Sequence, residues 1–276
     1  MAGFWLGPRA TLRGYRLHGF DSVGSTNVEA AQAAQQGDAG EVWFASLEQT
    51  AGRGRRGRPW HTNRGNLAAS VLVVPEAGPA EIATLGFVAG VALSAALRRM
   101  VPDAVLRTGM DGADFAGGRI ALKWPNDVLA DGAKLSGMLL EAVRQTDGRT
   151  GVVIGIGINV VIAPEGLPYP ATSLRALGIE TSAEAVFAEL SEAWVDAYES
   201  WNGGRGLAVI LEQWRHAAAG RGSEVVVKRD ADVVRGIFED IDDSGRLIVR
   251  TPGGERVLIT AGDVHFGTTA SLRMSG

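Results

Sequence analysis

Three glycines and four arginines crowd into the twelve residues from Gln49 to Trp60, and that mixture is built for neither helix nor strand. Glycine disfavours helix interiors, gives a sheet nothing to pack, and lets the backbone approach a ligand closely. The run is therefore a loop. Its glycines at 52, 54 and 57 satisfy the spacing G-x-G-x-x-G, which in a dinucleotide-binding fold turns straight from a strand into a helix. Here Pro59, Gly65 and Asn66 follow instead, and the next regular element reads as a strand from Asn66 to Val74. That context excludes the doubly wound nucleotide fold. A chain with a formal charge of −4 has gathered its cations in one segment, where forked guanidinium donors can close over a small anion.

The rest of the pattern is mixed. Helices are expected from Ser25 to about Ala34, capped by Ser25, Thr26 or Asn27, and over Ile82–Met100, Ser182–Trp201 and Leu207–Ala218. Strands are expected at Val42–Leu47, Ile120–Trp124, Val128–Ala130, Lys134–Glu141 and Val152–Asn159, the last apolar enough for burial on both faces. Near Gly220 the texture changes. Glu224–Lys228, Val233–Ile241, Leu247–Arg250 and Arg256–Ile259 read as short strands divided by Asp-Asp-Ser-Gly and Pro-Gly-Gly turns, the signature of a small barrel. The fold class expected is α+β, a mixed-sheet domain over residues 1–221 followed by a barrel over 222–276. Residues 107–119 read as a surface insertion.

Composition removes several functions. The chain has no cysteine, so disulfides, thiolate metal sites and cysteine nucleophiles are excluded, in keeping with a cytoplasmic setting. The acidic balance argues against a general nucleic-acid coat. The first twenty residues lack a signal-peptide core, and the apolar runs are expected to break before a membrane-spanning length of roughly 20 residues. The four histidines are scattered and suggest no metal site.

Other segments carry chemistry. Lys123-Trp124-Pro125-Asn126-Asp127 ends a strand with a lysine, a rigid turn and a carboxylate. Lys134 opens an apolar strand, where an ammonium needs an anion or solvent. Gly137 lies inside that strand, and Gly155 and Gly157 share one face of the next, ending at Asn159. Glycine in strands marks either tight packing or a ligand close to the backbone.

Taken together, Ser25-Thr26-Asn27, the Gln49–Trp60 run, Lys123–Asp127, Lys134–Gly137 and Gly155–Asn159 resemble the biotin protein ligases, in that family's order and over nearly the whole chain. The resemblance implies a biotin–lipoate ligase fold, related to class II synthetases, with an SH3-like C-terminal barrel. It implies biotin and ATP as substrates with Mg²⁺ assistance, a biotinyl-5′-AMP intermediate, and transfer to a lysine of a biotin carboxyl carrier domain.

Catalytic roles fall by resemblance to Lys134, Arg53 and Asp127. Biotin contacts fall to Ser25, Thr26, Asn27, Gln49, Gly52, Arg53, Gly54, Arg55, Lys134, Gly137 and Gly155. ATP or adenylate contacts fall to Arg55, Arg56, Trp60, Lys123, Asn126, Lys134 and Asn159. The twenty or so residues before Ser25 are too few for the helix-turn-helix domain of the repressor members, so no nucleic-acid partner is expected; the broken apolar runs lead to no membrane partner being expected either, and homodimerisation is left open. The competing readings are an ATP-dependent lipoate ligase, whose family lacks this arginine–glycine run, and a non-catalytic adenylate- or RNA-binding module.

Overall fold

Thr150–Ile158 is buried at every position after the first, because it runs through the middle of a sheet, paired with a strand on either edge. The computed structural model describes residues 3–100, 120–229 and 232–266; the 107–119 segment lies outside them. Seven strands form the sheet: β1 (Arg16–Phe20), β2 (Val42–Ser46), β3 (Leu67–Val73), β4 (Ile120–Lys123), β5 (Asp127–Ala130), β6 (Ala133–Arg144) and β7 (Thr150–Ile158). Their spatial order is β1-β2-β3-β7-β6-β5-β4. β1 and β2 pair in parallel and every other pairing is antiparallel, so the sheet is mixed, as expected.

Strand alternation divides the two faces. One packs Trp43, Leu67, Val71, Ile154 and Ile156 into the main core, beneath the helices Leu85–Met100, Ala183–Trp201 and Leu207–Ala217. The other packs Phe44, Leu72 and Val153 against Ala30 and Ala34 of the helix Thr26–Gln35. That single short helix covers only one end of its face. Further along, β3 and β7 present Ala68, Ser70, Gly155 and Gly157, small residues that leave the sheet approachable.

Pro79–Met100 departs from two expectations. It begins earlier than the pattern suggests, with Pro79–Ala83 and Leu85–Met100 separated at Thr84. At 22 residues it is also long and apolar enough to span a membrane, although 72% of its most apolar window is buried inside the protein. Its apolar surface meets the core helices instead.

The C-terminal sheet contains the four expected strands, β8 (Glu224–Lys228), β9 (Val233–Ile241), β10 (Leu247–Arg250) and β11 (Arg256–Ile259), plus a fifth, β12 (Asp263–Phe266). All pair antiparallel, in the order β11-β10-β9-β8-β12. The small barrel is seated on the larger domain by a buried bond from Trp124 Nε1 to the Gly245 carbonyl, 3.0 Å. Gly245 has φ +77° and its α-carbon faces the Phe87 ring so closely that a β-carbon has no room. Trp124 is thus a structural member of the Lys-Trp-Pro-Asn-Asp run.

Candidate active site

The approachable part of the sheet is the floor of a cavity. At its inner end the Thr26–Gln35 helix starts from buried Ser25, whose side chain makes no cap bond. Gln49 does that work from the loop: its Oε1 accepts from Thr26 N at 2.9 Å and Thr26 Oγ1 at 3.2 Å, while Nε2 donates to Thr62 Oγ1 at 3.1 Å. One amide therefore satisfies an open helix N-terminus and ties the root of the arginine loop to it. Asn27 is held from both sides, accepting from Ser70 Oγ at 2.6 Å and donating to Glu141 Oε2 at 2.6 Å. A β-carbon on Gly155 would overlap the Asn27 amide.

The loop itself is a hairpin. Trp60 N donates to Gly52 O at 2.9 Å and Gly54 N to Arg58 O at 2.7 Å, with Arg56 (φ +56°) and Gly57 (φ +69°) making the left-handed tip. Trp60 then lies across the bare strands: a β-carbon on Gly157 would overlap its indole, and one on Gly137 would come within 3.1 Å of it. The two strand glycines thus make room for an aromatic lid.

The charged groups meet at the mouth. Lys134 Nζ lies 2.8 Å from Asp127 Oδ1, and 5.6 Å and 5.5 Å from the Trp60 and Tyr169 ring centres. Arg55 Nη1 donates to Asn126 Oδ1 at 2.9 Å, and Asn126 Nδ2 donates to Met138 O at 2.6 Å, which fixes the amide's orientation. Burial pulls the Arg55 pKa down, against the opposing pull of Asp263 and Asp127. Lys123 is paired across the hairpin with Asp127; burial lowers its pKa while Asp127 opposes the shift.

The far end of the loop is held by the barrel. Asp263 Oδ2 accepts from Arg58 Nη2 at 2.5 Å and Arg56 Nη1 at 3.3 Å. Burial pushes the Asp263 pKa up, but the Arg58 bond and the charges of Arg58, Arg56 and Arg55 outweigh it and leave it lowered. A depressed carboxylate contributes stability above its unfolded value near ~4 and loses it as pH falls through the folded pKa. The latch should therefore be insensitive to pH from about 5 to 8. Asp263→Asn should speed amide exchange in residues 53–58 several-fold throughout that range; wild-type exchange in the variant would show that the barrel does not restrain the loop.

Ser25, Thr26, Asn27 and Gln49 wall the inner end of the cavity, and Arg53, Gly54, Arg55 and Trp60 its roof. Asn126, Asp127, Lys134, Gly137 and Gly155 complete it. Four predicted contacts do not reach the wall. Gly52 sits behind the loop, where its β-position is filled by Gln49 and the Trp60 backbone. Arg56 turns to Asp263, and Lys123 lies beneath Asp127, its ammonium 5.7 Å from the Phe266 ring centre. Asn159 is only 2% exposed and donates to Thr172 O at 3.1 Å, so it anchors the segment that follows. Sequence reasoning missed Tyr169 and Asp263, both on the cavity wall. The Pro-Tyr-Pro spacing around Tyr169 was the one available signal for the first; Asp263 had none.

Residues 20–159 match the biotin/lipoate A/B protein ligase family and residues 221–267 the biotin protein ligase C-terminal domain. The chain is 38% identical to the biotin–[acetyl-CoA-carboxylase] ligase of Paracoccus denitrificans over 88% of its own length and 97% of that protein. It is 36% identical to the ligase of the same name from Mycobacterium tuberculosis, covering 88% of this chain and 85% of the other. Among solved structures, the biotin protein ligase from Aquifex aeolicus in complex with biotin and ATP superposes with a TM-score of 0.72 at 22% identity, over 91% of this chain and 99% of that one, a likeness of fold. The chain belongs to the biotin/lipoate A/B protein ligase family.

Proposed function

We infer that this protein is an ATP-dependent ligase that activates biotin as biotinyl-5′-AMP and transfers it to a lysine of a biotin carboxyl carrier domain. The observation that carries the reading is the convergence of Arg53, Arg55 and Lys134 on one glycine-floored cavity. A carboxylate and a triphosphate repel each other, and fixed cations at their meeting point lower the barrier to bond formation.

In the first step a biotin carboxylate oxygen attacks the α-phosphorus, and the α–β bridging bond breaks to release pyrophosphate. Lys134 reaches both oxygens while Arg53 and Arg55 cover them. In the second step the carrier lysine, as free amine, attacks the acyl carbon; the carbon–oxygen bond to phosphate breaks and AMP leaves. Asp127, beside Lys134, is placed to receive the amine's proton. Among the described residues no cluster of three or more acidic or imidazole side chains is built to hold an ion. Magnesium typically keeps its waters and uses one or two carboxylates with substrate phosphates, so Asp127 fits as the protein ligand to an ion carried on the triphosphate. Such an ion would neutralise charge on the departing pyrophosphate. The cysteine-free composition supports a cytoplasmic setting.

Pyrophosphate exchange into ATP by the purified protein, with biotin, lipoate, octanoate or no acid, tests the reading. Exchange with biotin alone is expected. Exchange with lipoate or octanoate instead would reassign the pocket at Ser25 and Gln49, and no exchange with any acid would favour a binding module. In the same assay Gly157→Ala should raise the KM for ATP by about tenfold, because its methyl forces Trp60 off the strand and overpacking of this kind costs roughly 1–3 kcal/mol. An unchanged KM would remove Trp60 from the nucleotide side.

A further inference from the structure

The segment after Asn159 returns across the site and is fastened to the backbone of Lys134. Lys134 N donates to Pro170 O at 2.9 Å, and Thr172 N donates to Lys134 O at 3.0 Å. Asn159 secures the same segment from below, donating from Nδ2 to Thr172 O and accepting from Leu174 N at 3.0 Å. Both main-chain groups of Lys134 are thus held by residues just after Tyr169. Pro168 and Pro170 bracket Tyr169; the chain bends at Pro168 and Tyr169, and the proline that follows disfavours helical backbone at Tyr169. The ring is consequently presented to the Lys134 ammonium at 5.5 Å, with Trp60 at 5.6 Å also facing it.

We propose that Tyr169 is a positioning residue for the ligase reaction, holding the Lys134 ammonium over the cavity by a cation–π contact. This rests on the function inferred above. A lysine side chain has four rotatable bonds, and Asp127 by itself would draw the ammonium towards the strand. Two aromatic faces and one carboxylate fix it at a point instead of along an arc. Rings attract ammonium through the quadrupole and do not neutralise it, so the charge stays available to the biotin carboxylate and the α-phosphate. Tyr169 is 39% exposed, and its hydroxyl makes no hydrogen bond among the described residues; the ring face is the part in use.

Two substitutions and one graded series at position 169 separate this role from simple packing. Tyr169→Phe should leave kcat/KM for biotin in the exchange reaction unchanged, whereas Tyr169→Leu should lower it about fivefold, the size expected of one partly exposed cation–π contact. Progressively fluorinated phenylalanines at position 169 keep the shape while draining the ring's negative face, and should give a graded fall from Phe towards Leu. Equal rates across the fluorinated series, or a Leu variant as active as Phe, would overturn the proposal.

A readout without substrate separates failure of this proposal from failure of the functional reading. The chain has three lysines, Lys123, Lys134 and Lys228, so ¹³C-lysine labelling gives a spectrum that single substitutions can assign. The Lys134 ε-methylene should be shifted upfield by ring currents and move downfield in Tyr169→Leu. A signal that does not move would overturn the contact whatever acid the enzyme activates.

Discussion

Lys134→Ala is expected to reduce biotin-dependent pyrophosphate exchange by about 10³-fold, the scale seen when a preorganised charge-stabilising donor is removed from an active site. The loss should appear mainly in turnover, because the ammonium acts where the carboxylate and the α-phosphate meet. The fold should survive. Lys134 contributes its backbone to the sheet and to the 170–172 segment, and alanine keeps those bonds. Asp127 loses its 2.8 Å partner but stays within electrostatic reach of the Lys123 ammonium, so thermal melting should move by only a few degrees. A folded Lys134→Ala protein that forms biotinyl-5′-AMP at the wild-type rate would remove Lys134 from the mechanism.

Arg55→Gly should produce the second large effect, and a different one. The guanidinium is half-buried at the mouth and bonded to Asn126, so its loss opens the roof between the loop and the Lys-Trp-Pro-Asn-Asp turn. It also places a second flexible residue next to Gly54, raising the entropy of the open loop. Adenylation needs the cations only while the bond forms; retention of the mixed anhydride needs a closed roof to exclude water and hold the intermediate. We expect release of biotinyl-5′-AMP to accelerate by about tenfold or more, as removal of a charge-assisted hydrogen bond typically loses 1.5–3 kcal/mol. Rapid filtration of the preformed complex measures the release, and biotin on an added lysine-rich bystander protein reports it independently. Retention equal to wild type would mean that the loop does not enclose the intermediate.

Much of this site can be read from the sequence because its parts obey local rules. Of the two readings of glycine in a strand, 155 and 157 take the close-packing one, with Asn27 and Trp60 resting on them, and the lysine that needed an anion or solvent has Asp127 beside it. The strands of the barrel are separated by strong turn signals, and their expected limits agree with those found. What escaped was decided at a distance. β1 reads Arg-Leu-His-Gly-Phe, with a charge and a glycine in five residues; it is a strand because β2 offers it a parallel edge. β12 is equally short and exists because β8 offers an open side. Asn159 ends an apolar strand in a position suited to a ligand, yet its amide is taken by Thr172 across a turn with no periodic signal. Asp263 is the extreme case: nothing adjacent to it hints at a partner more than two hundred residues upstream.

That separation bears on the order in which the protein comes into being. Arg58 leaves the ribosome early, and Asp263 follows 205 residues later, on the last strand described. The sheet, its helices and the glycine floor can assemble while the barrel is still being made, because domains generally fold as units from the N-terminal end. A nascent chain at that stage holds Lys134, Arg53 and Arg55 but lacks the carboxylate that fastens the loop tip. Synthesis of β12 therefore supplies the last fastening of the loop, the carboxylate that takes both Arg56 and Arg58.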